Sequence, residues 1–117
     1  MSDNRRGGER FQVWFPVHVD EADSRRSQLT VSRNVSAHGI LLSSTTELVP
    51  GAKVFVTFRI RPEEPERRVE GHVVRVEPNR EDPDGLWPTR VAVEFDELVP
   101  ELEKQLADAE AEREGYE

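Results

Sequence analysis

The chain has 117 residues, no cysteine and a formal net charge of -8. That length suits one domain with a real core, and the missing cysteine excludes disulfides and thiol chemistry and fits the cytosol. The acidic balance argues against general nucleic-acid binding, because counterion release needs a broad basic surface.

Residues 1–10 are polar, contain Gly7-Gly8 and lack the apolar segment of a secretory signal. They read as a flexible lead-in. Phe11, Val13, Phe15, Val17 and Val19 then alternate with Gln12, Trp14, Pro16, His18 and Asp20, a period-two strand signal. Pro16 removes a ladder donor, so this strand is an edge strand or is broken there. A charged turn, Glu21 to Arg26, follows. Leu29, Val31 and Val35 alternate around Arg33 as a second strand, Ala37-His38-Gly39 turns the chain, and Ile40 to Ser44 is a third.

Pro50-Gly51 marks a turn. Val54, Val56, Phe58 and Ile60 form the clearest strand, and Val69 to Glu77 the fifth, with Gly71 as its expected bulge or bend. After a polar loop from Pro78 to Pro88, Val91, Val93 and Phe95 mark a sixth strand. Leu102, Leu106 and Ala109 then fall at helical spacing, with Pro100 suited to a first turn. A helix from about Pro100 to Arg113 is expected. The fold class is therefore mainly β: a small six-stranded antiparallel barrel with a C-terminal α-helix. Its parts are a lead-in over 1–10, a barrel over 11–98, and a helix with an acidic tail over 99–117.

No apolar run is long enough to span a bilayer, so no membrane insertion is expected; with no secretory signal and no cysteine, the expected location is cytoplasmic. His18, His38 and His72 do not show metal-ligand spacing. No Ser/His/Asp or Cys/His set can be read, so neither a metal nor an enzymatic activity is expected. Of the 16 basic residues only Lys53 and Lys104 are lysine. That bias fits recognition by guanidinium forks, and it equally fits a GC-rich genome.

Two stretches carry the chemistry. Arg5-Arg6-Gly7-Gly8-Glu9-Arg10 gathers guanidinium groups, which bind phosphate and the Hoogsteen edge of guanine bidentately. Asn34-Val35-Ser36-Ala37-His38-Gly39 is a small polar turn that a ligand can approach closely. Asn34 and Ser36 can meet a guanine edge, or the set can be simply a turn satisfying its own backbone. Gly39 is expected to supply a positive φ. Arg75 on the outer wall suits stacking on a purine or a plain solvated role. Trp14 and Phe55 are expected to pack, and His38 to be exposed.

Together the two stretches resemble the R-x-x-x-R and [DN]-x-S-x-x-G motifs of PilZ domains, bacterial receptors for cyclic di-GMP. Val69-Glu70-Gly71-His72-Val73-Val74-Arg75 is similar to their G-x-V-V-[RW] strand. Val91 to Leu98 is similar to their closing strand, with Ala92 where many have Gly. The Val49 to Gly51 turn also fits. The resemblance, in order over about residues 5–110, implies a PilZ-type barrel. It also implies a cyclic di-GMP site at Arg5, Arg6, Arg10, Asn34, Ser36, Gly39 and Arg75, and a downstream protein partner acting in motility, exopolysaccharide production or development. A basic residue at Arg5 is associated in that family with a stacked pair of ligands, hence two molecules per protein. The alternative is a PilZ-type protein-interaction module that works without nucleotide.

Overall fold

The structure, a computed structural model, describes residues 11–24, 26–46, 48–81 and 84–114. Six strands, β1 (Pro16–Glu21), β2 (Ser27–Val35), β3 (Gly39–Ser44), β4 (Lys53–Phe58), β5 (Arg67–Pro78) and β6 (Thr89–Phe95), are followed by one helix, α1 (Glu101–Glu114). The strands close into a barrel in the order β1-β2-β3-β6-β5-β4, with every neighbouring pair antiparallel. Closure leaves none of these six strands with an open edge for another chain to extend.

Alternation explains most of the packing. Val54, Val56 and Phe58 on β4, Val17 and Val19 on β1, and Val91, Val93 and Phe95 on β6 all face inward and are buried. Each such side chain contributes roughly 1.5–3 kcal/mol relative to leaving it in water. The rings of Phe15 and Phe58 stack with centroids 5.4 Å apart. From α1, Leu102 and Leu106 lie four residues apart on one face and join the same core, with Ala109 against it. Arg67 holds the helix from outside, reaching Glu101 at 3.3 Å and Gln105 at 3.0 Å.

The first strand differs from its apolar pattern. The ladder begins only at Pro16, where the missing N–H costs least, while Val13 and Phe15 are buried ahead of it. Phe11 makes a single bridge to Val35, with backbone bonds of 2.9 Å in both directions. On β2 Leu29 is exposed and Val31 half-buried; the buried positions ahead of the bulge are Thr30 and Ser32, and Val35 is buried after it. Their hydroxyls are satisfied: Thr30 Oγ1 donates to the Val17 carbonyl at 2.9 Å, Ser32 Oγ donates to the Val13 carbonyl, and Phe15 N donates to Ser32 Oγ at 3.0 Å. The inner face of β2 thus stitches down the irregular segment before β1.

Two ladders contain an extra residue. The β2–β3 register runs Ser32↔Leu42 and then Asn34↔Leu41, leaving Arg33 over. The β5–β6 register runs Val73↔Val93 and then Arg75↔Ala92, leaving Val74 over. The bulge on β5 is therefore at Val74 and not at Gly71. Gly71 answers to a different demand, since a Cβ there would lie 2.5 Å from the Glu94 carbonyl oxygen.

Candidate functional site

The two bulges flank the β3–β6 pair, and each turns a polar side chain outward. In an unbroken β2, Arg33 would take the outward place opposite Leu41 and Asn34 would point into the core. With Arg33 extra, both face out. On β5 the same shift leaves Val74 and Arg75 both outward while Val73 is buried. Arg75 would otherwise share the inward face of Val73 and Val69.

The consequence is one row across four strands. Asn34 pairs with Leu41, Leu41 with Ala92, and Ala92 with Arg75. At about 4.8 Å per strand the ends of the row stand roughly 14 Å apart around the wall. A cavity of about 280 Å³ lies over this row, lined by Asn34, Ser36, His38, Gly39, Leu41, Val74, Arg75, Ala92 and Glu94 among others. Ala92 lines its floor with only a methyl group.

The turn beside the row is held by its own atoms. Ser36 N donates to the Gly39 carbonyl at 2.9 Å, and His38 N donates to Ser36 Oγ at 3.1 Å. Ser36 is buried, so its hydroxyl serves the turn first. Gly39 does not supply a positive φ; among the described glycines only Gly51 does, at 92°. What Gly39 supplies is closeness, because a Cβ there would sit 2.3 Å from the Val93 carbonyl oxygen. His38 is half-buried in the cavity wall and accepts from Phe95 N at 2.8 Å through its carbonyl.

Of the seven sequence-predicted site residues, Asn34, Ser36, Gly39 and Arg75 come together in this one cavity. Arg5, Arg6 and Arg10, with Gly7-Gly8, lie outside the described residues. Their covalent attachment is described: Phe11 follows Arg10 and is bridged to Val35, the residue between Asn34 and Ser36.

Arg75 is largely exposed, with its Nε 3.6 Å from Glu77. Arg33, next to Asn34, is committed elsewhere. Its guanidinium lies 5.1 Å over the Trp14 ring, and its Nη2 is 2.9 Å from Glu81, which Arg90 also reaches at 2.9 Å. The Arg33 hydrogen bond, with the Arg90 charge beside it, holds the Glu81 carboxyl below the usual range. Trp14, on the polar face of its segment, is thus covered on one face by Arg33 but remains 60% exposed, so it does not pack away as expected. Phe55 is half-buried, with Arg68 at 4.7 Å over its ring.

Sequence reasoning passed over Leu41 and Glu94. The signal for Glu94 was present, since it alternates with Ala92 on the outer face of β6. Among the described residues no group of three or more His, Asp or Glu could hold a metal ion, and no helix is long and apolar enough to cross a membrane.

The sequence pattern of the PilZ domain matches residues 4–110. The chain belongs to the PilZ family. Solved structures with the same fold include the inhibitor of motility MotI/DgrA from Bacillus subtilis, at TM-score 0.64 and 19% identity over 92% of this chain. The chain spans 50% of that protein's length. The PilZ domain with c-di-GMP of YcgR from Escherichia coli aligns at TM-score 0.65 and 15% identity, covering 97% of this chain and 95% of that one. The PilZ domain of CeSA from a cellulose-synthesizing bacterium aligns at TM-score 0.59 and 16% identity, covering 92% and 99%. No curated protein matches the chain.

Proposed function

We propose that this PilZ domain is a cytoplasmic receptor for cyclic di-GMP that performs no chemistry and signals to a partner protein. The observation that carries the reading is the Phe11–Val35 bridge. It ties Phe11, the residue after Arg10, to Val35 within the Asn34-x-Ser36-x-x-Gly39 turn, which supports a reading in which Arg6 and Arg10, a few residues away along the chain, contact a ligand in the cavity. Asn34 and Arg75 then stand on opposite sides of a ligand whose purines can stack on a guanidinium and whose phosphates pair with guanidinium forks. The YcgR domain of the same fold was solved with c-di-GMP, which supports the ligand class. Ordering of residues 5–10 around the ligand changes a surface that the partner reads. MotI, an inhibitor of motility, is in keeping with motility as one output; exopolysaccharide production and development are others. Arg5 offsets the repulsion between two dianions, which favours a stacked ligand pair.

Calorimetric titration with cyclic di-GMP tests the reading. Micromolar or tighter binding is expected, with Arg10→Ala weakening it on the order of tenfold to a hundredfold, the loss of about 1.5–3 kcal/mol for a charge-assisted hydrogen bond. Two ligands per protein in the native chain, falling toward one in Arg5→Leu, marks the pair. Folded protein that gives no heat of binding overturns the receptor and leaves a nucleotide-independent interaction module.

A further inference from the structure

Among the described residues Glu94 is the one acidic side chain in the wall of this cavity. It faces out from β6 two residues from Ala92, roughly 7 Å along the strand from the cavity floor. Gly39 pairs with it across the β3–β6 ladder and adds no side chain, which leaves room beside the carboxylate. On its other flank His72 Nε2 is 3.5 Å from Glu94 Oε1, while His72 Nδ1 is 3.1 Å from Asp96 Oδ1. His72 so restricts where the carboxylate points. Beside a dianionic ligand a carboxylate is repulsive by Coulomb's law. Its position in an anion-binding wall calls for a contact that outweighs the repulsion.

We infer that Glu94 reads the base: its two carboxylate oxygens accept the N1–H and N2–H of a guanine, and so select guanine over adenine in this cavity. The inference rests on the cyclic di-GMP reading. A guanine presents two adjacent donors on that edge, and an ionised carboxylate presents two adjacent acceptors. Adenine offers a ring acceptor and a C–H at the same places, so the carboxylate rejects it. The Asn34 carboxamide sets one acceptor oxygen beside an NH2 donor, so it matches that pair of donors less fully than a carboxylate does. Arg75, across the row, takes the base face or the phosphate. The closing strand thus adds a carboxylate to the polar groups that the turn already brings to this cavity.

The sign of one substitution decides. The whole chain and its Glu94→Gln variant are titrated by calorimetry with cyclic di-GMP and with cyclic di-AMP at one fixed salt concentration. The substitution is isosteric and on an exposed side chain, so the variant folds. Base reading predicts that Glu94→Gln weakens cyclic di-GMP binding about tenfold or more, as expected for losing a bidentate base contact, while cyclic di-AMP binding does not fall. Simple repulsion predicts the reverse for cyclic di-GMP, because removing a negative charge tightens any dianion. Unchanged or tighter cyclic di-GMP binding in Glu94→Gln overturns this inference and leaves the receptor standing. A wild-type chain that binds neither dinucleotide overturns the receptor, and this inference with it.

Discussion

The barrel has two kinds of wall. Around β1 and β4 the ladders β1–β2, β1–β4 and β4–β5 run without a break in register. Around β3 and β6 the central ladder is regular, but the ladders on both sides of it carry an extra residue. The regular wall presents ordinary outward contacts, such as Arg68 bonded to Asp20 at 3.0 Å and lying over Phe55. The broken wall presents Asn34 and Arg75 on one row, with a cavity between them. Strict alternation can only place every second residue outward. Two breaks in it let neighbouring side chains both face out: Arg33 joins the surface network beside Asn34 in the cavity wall, and Val74 and Arg75 both line the cavity. Regularity builds the container, and irregularity aims the site.

This division separates stability from affinity, and the largest effect tests the container. Phe58→Ala removes a buried ring of the regular wall that stacks on Phe15, at a cost of about 3–5 kcal/mol. Denaturant unfolding should show that loss, while the folded fraction keeps wild-type affinity for cyclic di-GMP. Gly39→Ala should cost less, about 1–3 kcal/mol, because β6 must move away from a Cβ that meets the Val93 carbonyl at 2.3 Å. Unlike Phe58→Ala it should also weaken binding, since the same movement displaces the floor at Ala92 and the wall at Glu94. If Phe58→Ala loses affinity in proportion to stability, the two walls are not separable.

Deleting Val74 is the direct test of the bulge. With Val74 gone, Val73 still faces in, Arg75 out and Val76 in, and every other β5–β6 pair is already in the matching register. The barrel should therefore fold with a melting curve close to wild type. The local twist that the extra residue adds is lost, so Arg75 swings relative to Asn34 and affinity falls several-fold. Unchanged affinity in a folded deletion variant shows that facing outward is enough and that twist contributes nothing.

The same contrast explains what the sequence revealed. β4 and β6 were legible because their apolar residues alternate and point inward throughout. β2 was legible as a strand but not in its facing, because Thr30 and Ser32 occupy the inner face with hydroxyls that bond to Val17 and Val13. Leu29 and Val31 thereby mark the outside. The bulge on β5 was expected at Gly71, where glycine invites it. The better signal was the three-residue step between the inward Val73 and Val76. The turn residues of the site were legible from their types, yet the need for Gly39 was misassigned to φ, since close approach of another strand leaves no local trace. Glu94 was legible as an outward residue of β6, but as it is one of 24 acidic residues its neighbours were not. Only the fold places it next to Gly39.

Along the seam between the two walls runs a row of charges, and it gives the smallest effect. Lys53 Nζ lies 2.5 Å from Glu70 and 3.3 Å from Asp96, and His72 joins Asp96 to Glu94. The hydrogen bond from His72, then that from Lys53, hold the Asp96 carboxyl below its ordinary value. A carboxyl with a lowered folded pKa favours the native state once it is ionised. That contribution is complete above the unfolded value of about 3.9 and is lost as pH falls through the lower folded value. Asp96→Asn should therefore melt slightly below wild type near neutral pH, and the two melting temperatures should converge as pH falls through the lowered folded value. The group is exposed, so added salt should shrink the gap as well. A gap that persists unchanged in acid means that Asp96 acts through hydrogen bonds that asparagine cannot reproduce, and not through its charge. The seam would then belong to the regular wall alone, and Glu94 would be held by packing on β6 in place of the ionic chain through His72.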